Sequence, residues 1–242
     1  MNLSGIPYKS WIGKILRFPL RLIPPRIKIP ILQGKLRGKT WIVGAGKHGY
    51  WLGSYEYKER ILFEKTVTKG SIVFDIGAHC GFYTLLASEL VGPEGRVFAF
   101  EPVARNIYYL KEHLRLNNVS NVDIIEAAVS DICAKGAFDF GSDHFQGKLM
   151  SKGSIEVKTV ALDDLIERNE LPIPDYLKID VEGSEIAVLT GAKKMLSIRH
   201  PEIFLATHGS RIYQEAINFL RLLNYQWRDI EEKSTIFAYH RT

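Results

Sequence analysis

Cysteine is scarce in this chain: Cys80 and Cys133 are the two found in 242 residues. Their separation has neither zinc-type nor redox-type spacing, which excludes a disulfide scaffold and a cysteine-rich metal module. Both are expected as reduced thiols of a cytoplasmic protein. No apolar run is long enough to span a bilayer. The apolar stretches near the start are interrupted by Lys14, Arg17, Pro19 and Arg21, and no small-residue cleavage site follows, so they do not read as a secretory signal. Acids are missing from residues 1–55, which carry ten Lys/Arg, the first acid being Glu56. With 32 basic and 27 acidic residues in all, 22 basic residues remain beyond residue 55 and the balance there reverses to −5. The basic character belongs to the N-terminal segment. An enzyme of nucleic acids more often carries basic surface around its active site, so that class is disfavoured.

A glycine is missing too, and its absence is informative. Val73 to Leu85 read VFDIGAHCGFYTL: a buried strand ending at Asp75, a turn Gly77-Ala-His-Cys-Gly81, then a helix. A dinucleotide site wants G-x-G-x-x-G, because the backbone must approach a pyrophosphate. Here the middle glycine is absent, and Asp75 would repel a pyrophosphate. The next apolar run, VFAFEP, closes on a second acid, Glu101. A carboxylate before the turn suits the amino group and sulfonium of S-adenosylmethionine, which has no phosphate. An ionised Glu101 accepts hydrogen bonds from both ribose hydroxyls.

Hydrophobic residues make up 46% of the chain, enough for a single large α/β core. We divide it into a basic extension over 1–53 and a domain over 54–242. Trp11, Ile12, Ile15 and Leu16 share one helical face, which allows contact with an anionic membrane through residues 1–30. An arm packed on the domain or on a second copy is the preferred reading. Residues 36–53 read as short strands and turns. Ser54 is expected to cap a helix over Tyr55–Val67. Strands are predicted at Ile72–Asp75, Val97–Phe100, Val122–Ala128, Tyr176–Val181, Ile203–Ala206 and Thr235–Tyr239. Helices are predicted at Phe82–Leu90, from Pro102 to about Leu116, at Glu185–Met195 and at Ile212–Leu223. Phe138–Phe140 and Ile155–Val160 read as an added strand pair. The alternation predicts a doubly wound, mostly parallel sheet.

With VFDIGAHCGFYTL, VFAFEP, NVDIIEAAVSD, TVALDDL and LKIDVEGSE in view, the chain resembles the FkbM family of S-adenosylmethionine-dependent methyltransferases, from roughly Gly70 to Gly209. The resemblance implies a Rossmann-like class I fold, with seven strands and the last antiparallel. It implies O-methylation of a small-molecule, sugar or lipid-linked hydroxyl. By position, Asp75, Gly77 and Gly81 would cradle the methionine part of the cofactor, Glu101 the ribose and Asp131 the adenine, with Glu126 a rival for the last. His79, where many relatives carry Asn, and Tyr83 complete the expected cofactor contacts.

Lys178, Asp180 and Glu182 alternate toward one side at the fourth strand's end. His208 follows the next strand, at the same sheet edge, where ligands of open α/β sheets bind. Asp180 and His208 are the candidate bases, Lys178 is grouped with them, and Glu182 and His144 are candidate substrate contacts. A divalent cation at Asp180, Glu182 and His208 is conceivable but not favoured on two-residue spacing alone. Two other classes stay open: an RNA methyltransferase, and a non-catalytic cofactor-binding or membrane-associated protein. Asp-Val-Glu-Gly in place of a proline-rich N/D-P-P-Y loop argues against base-amine methylation.

Overall fold

The computed structural model describes residues 19–139, 148–150 and 155–240. The expected helical face at Trp11–Leu16 and the expected contact at His144 lie outside these residues.

The described chain opens with β1 (Lys28–Pro30) and β2 (Thr40–Ile42), an antiparallel pair. Ile31, Leu36, Trp41, Ile42, Val43, Tyr50 and Trp51 are buried in one cluster with Val73, Phe82 and Leu110, so the core runs unbroken across residue 53. Helix Tyr57–Thr66 starts two residues later than expected. The amides of Ser54 and Tyr55 are already taken by the Gly49 carbonyl, and Glu56 turns to a φ of 40°.

Next come β3 (Ile72–Ile76), helix Phe82–Val91, β4 (Arg96–Phe100), helix Ala104–Leu116 and β5 (Val122–Ile125). A small second sheet follows, from β6 (Ala128–Val129), β7 (Ala134–Asp139), β8 (Lys148–Met150) and β9 (Ile155–Val160). Helix Leu162–Glu167 leads into β10 (Tyr176–Ile179). Then come helices Glu185–Gly191 and Lys193–Arg199, β11 (Glu202–Ala206), helix Ser210–Leu222, β12 (Gln226–Glu231) and β13 (Thr235–Tyr239).

The main sheet has seven strands in the order β12-β13-β11-β10-β3-β4-β5. β13 runs antiparallel to both neighbours, while the β5-β4-β3-β10-β11 block is parallel. β3 and β10 are buried almost throughout, because helices cover both faces of a parallel sheet. Strand order reverses between β3 and β10, which opens a crevice at their carboxyl ends.

Two differences from the expected elements have clear causes. The helix expected over Glu185–Met195 breaks at Ala192. A Cβ on Gly191 would lie 2.0 Å from the Ser130 carbonyl oxygen, so the first helix ends packed against that backbone. Asp163 then caps the second helix from another element, accepting the amides of Lys194 (2.7 Å) and Met195 (2.9 Å). β12 was not foreseen. It is an edge strand reading QWRDIE, with four of six positions exposed, and such charged edges resist pairing with other chains.

Candidate active site

Asp75, one residue before the end of β3, is only 2% exposed. Its Oδ2 accepts a 2.5 Å hydrogen bond from Thr84 Oγ1, one turn into the next helix. Burial pushes its pKa up to about 6, against the Thr84 hydroxyl and the Lys178 ammonium, which lower it. The turn after it is held by the Phe100 carbonyl, which accepts the amides of Gly77 and Ala78, both at 3.0 Å. Gly77 has a φ of 84°, and a Cβ there would lie 1.9 Å from the carbonyl oxygen of Asp180.

Glu101, at the tip of β4, is 4% exposed. Its Oε2 accepts the His79 amide at 2.8 Å. Its Oε1 accepts the Val103 amide at 2.9 Å and Asn106 Nδ2 at 3.3 Å. Burial raises its pKa to about 7, against these three donors. A carboxylate has about four acceptor directions, so roughly one remains for a ligand hydroxyl. His79 reaches its amide to Glu101 from a left-handed φ of 51°. The residues fit the expected cofactor in chemistry: two buried carboxyls on adjacent strand ends, and a loop whose Gly77, Ala78, His79 and Gly81 amides bond to protein acceptors rather than being splayed for phosphate.

Lys178 pairs in register with Asp75 across β10 and β3. Its Nζ is 3.4 Å from Glu59 Oε1, 3.8 Å from Asp180 Oδ2 and 4.8 Å from the Tyr83 ring centre. Burial would lower its pKa, but Glu59, Asp180, Glu56 and Asp75 outweigh it and keep the ammonium charged. At 1% exposure Lys178 is a buried counter-ion beneath the site. Asp75, His79, Tyr83, Lys178 and Asp180 line a cleft of about 30 Å³ together with Tyr50 and Tyr55. That is room for one small group, so the body of any ligand lies across its mouth.

Beyond Asp180, Glu182 adopts a φ of 52° and turns its carboxylate to within 3.1 Å of His208 Nε2. Asp180 Oδ1 is 3.7 Å from the same nitrogen. His208 Nδ1 lies 2.5 Å from Oε1 of Glu185, a fully buried carboxyl. The Glu185 bond, with Asp180 and Glu182 behind it, raises the His208 pKa against the effect of burial.

The structure thus brings Asp75, Gly77, His79, Tyr83, Lys178 and Asp180 to one cleft, with Glu101 behind the loop and Glu182 and His208 beside Asp180. Gly81 opens the helix after the loop. Asp131 stands apart, exposed and bonded to Ser130 Oγ at 3.0 Å, and Glu126 pairs with Lys111. Sequence reasoning missed Glu185, Glu59 and the tyrosines Tyr50 and Tyr55. Glu185 stood inside the LKIDVEGSE block and read as a helix-opening acid. The others come from outside that block and meet the site only through packing.

Comparison with known proteins agrees with this geometry. The profile of the methyltransferase FkbM domain matches residues 75–232. The hexuronic acid methyltransferase AglP of Haloferax volcanii is 30% identical over 147 residues, covering 57% of this chain and 56% of that protein. The chain therefore spans little more than half the length of that relative. Among solved structures, the methyltransferase FkbM of Methylobacillus flagellatus superposes with a TM-score of 0.53 at 20% identity, over 70% of this chain and 43% of that one. A putative rRNA-methylase of Clostridium thermocellum gives 0.53 at 13% identity, over 76% and 93%. At these identities the two structures speak to the fold. The family profile and the strand-end acids together place this chain in the FkbM family of S-adenosylmethionine-dependent methyltransferases.

Proposed function

We propose that this chain methylates a hydroxyl of a sugar, in a glycan or a lipid-linked saccharide. The carrying observation is the adjacency of the Asp75/Glu101 carboxyl pair to a cleft that ends on Asp180, beside Glu182 and His208. When bound, S-adenosylmethionine supplies a methyl group on a positively charged sulfur. The chain's own part is to align the acceptor oxygen and exclude water. Asp75 and Glu101 meet the cofactor's cationic and hydroxyl groups. A neutral hydroxyl is a poor nucleophile, so its proton must be removed, and this falls to the set of Asp180, Glu182 and His208. Lys178 Nζ stands 3.8 Å from Asp180 Oδ2, on the sheet side of the cleft. The name of the Haloferax volcanii relative supports an acidic sugar as acceptor. The test is incubation with methyl-labelled cofactor and uronate-bearing glycans, followed by linkage analysis. Label in a sugar methyl ether supports the reading. Label in RNA, or in neither, overturns it.

We also propose that residues 19–37 touch an anionic membrane, which suits a lipid-linked acceptor. Leu22 (70% exposed), Ile27 (40%) and Leu32 (49%) stand out among exposed Arg26, Lys28, Lys35 and Arg37. No helix among the described residues is long and apolar enough to cross a membrane. Sedimentation with anionic vesicles at low salt should be lost on replacing these three apolar residues with serine. Unchanged sedimentation refutes the contact.

A further inference from the structure

Glu56 leads into helix Tyr57–Thr66 from the left-handed region, at φ 40° and ψ 52°, and its side chain caps nothing there. Glycine and asparagine take this conformation readily. A glutamate held in it is strained and persists only where its surroundings fix it. His79 and Glu182, the other non-glycine residues of this kind around the cleft, already belong to the site.

The turn sets the half-buried Glu56 carboxyl group beside Tyr55, Tyr83 and Glu59. Burial raises the pKa of both tyrosines, and the Glu56 carboxyl raises them further. Tyr55 and Tyr83 line the cleft of about 30 Å³. Yet Glu56 Oε2 and the Tyr83 hydroxyl are both buried and complete no hydrogen bond among the described residues. Tyr83 as a whole is 6% exposed. A buried acceptor and a buried hydroxyl left open side by side call for a ligand group that donates hydrogen bonds. Lys178 is not that donor, because its Nζ pairs with Glu59 and Asp180 instead.

The size and chemistry of the space identify the donor. The cleft has room for one small group. Its walls include the carboxyls of Asp75 and Asp180 and the rings of Tyr50 and Tyr55, whose centres lie 4.2 Å apart. Such walls suit a compact cation. S-adenosylmethionine carries two. Its sulfonium has no hydrogen to donate, whereas its ammonium has three.

We propose that Glu56 binds the ammonium group of the cofactor's methionine part through its carboxylate, with the Tyr83 hydroxyl beside it. Glu56 lies ahead of residues 75–232, the stretch that the family profile matches. The inference rests on the S-adenosylmethionine reading above and deepens it. The contact is to a part of the cofactor that does not react, so it holds the methyl group in place and leaves its reactivity alone.

The test is calorimetry on the full chain with two ligands: S-adenosylhomocysteine, and the analogue in which hydrogen replaces its amino group. The unmodified chain should bind the analogue about 10–100-fold more weakly. Glu56→Gln should weaken S-adenosylhomocysteine about tenfold or more and leave the analogue unchanged. Glu56→Gly removes strain and carboxylate together. It should lose the same preference yet melt no lower than the unmodified chain. A merely structural Glu56 would lower the melting temperature and weaken both ligands alike. Equal binding of the two ligands by the unmodified chain, or an equal effect of Glu56→Gln on both, overturns the Glu56 contact and leaves the cofactor reading standing. Binding of neither ligand by the folded, unmodified chain overturns the cofactor reading and the contact with it.

Discussion

Gly77 and Asp180 are in backbone contact: a side-chain carbon on Gly77 would sit 1.9 Å from the Asp180 carbonyl oxygen. The cofactor loop and the loop carrying the acceptor-side acid therefore lock together without a side chain between them. Gly77→Ala adds both a clash and a left-handed strain at φ 84°. We expect a loss of about 1–3 kcal/mol or more, with weakened cofactor binding. Gly183→Ala, at φ 106° with nothing near its Cβ, carries only the strain and should cost less. Equal falls in melting temperature for the two variants would count against the contact.

Glu101 makes opposite demands on folding and on binding. Its carboxyl holds its proton more tightly when folded, at about 7, than at the ordinary value of 4.5. Its contribution to stability is therefore fullest below pH 4.5 and declines as pH rises to about 7. Cofactor affinity should run the other way, because the ionised form is the better acceptor for ribose. Glu101→Gln should flatten the stability slope in that window and weaken S-adenosylhomocysteine at pH 8. Melting curves and calorimetry across pH 4.5–8 measure both, and an unchanged slope in the variant would show that another group titrates.

Lys178 and Glu59 tie β10 to helix Tyr57–Thr66 under the site. Lys178→Met leaves a buried carboxylate without its counter-charge and should cost about 3–5 kcal/mol. Lys178→Met combined with Glu59→Leu should recover most of that loss. Denaturant melts of both singles and the double give the coupling. Simple additivity would mean that the two groups do not act as a pair.

His113 joins the N-terminal segment to the glycine loop. Its Nε2 accepts the Ile42 amide at 3.1 Å, and its Nδ1 lies 2.7 Å from the Cys80 carbonyl oxygen, to which it donates. Burial lowers its pKa from 6.5 to about 4, so its share of stability is whole above pH 6.5 and is lost as pH falls through 4. His113→Phe strands two buried backbone groups and should cost about 2–5 kcal/mol at pH 7. The variant should also lack the wild-type decline between pH 6.5 and 4. If the decline persists, His113 is not its source.

That Asp75, Glu101 and Asp180 gather at one edge of the sheet was legible because they lie where strands end. Asp75, Glu101 and Asp180 each close an apolar run, and parallel strands carry their ends to one edge whatever the loops do. Asp131 and Glu126 show the limit. Asp131 follows β6 of the second sheet and is exposed, and Glu126 follows β5 of the main sheet but pairs with Lys111, outcomes that no periodicity distinguishes. His144 remains an expectation from sequence alone. The break at Ala192 was hidden because its cause, the Asp163 cap, comes from 31 residues away in sequence.

By itself, the sequence determined the alternation of strands and helices, the loop that excludes a pyrophosphate, and the acids at the strand tips. Those depend on local pattern and on the chain's direction through a parallel sheet. Tertiary structure alone decided that Glu185 stands behind His208, that Glu59 neutralises Lys178, and that Tyr50 and Tyr55 wall the cleft. Such pairings join residues 23 to 119 or more positions apart, and only packing brings them within reach of one another's charge.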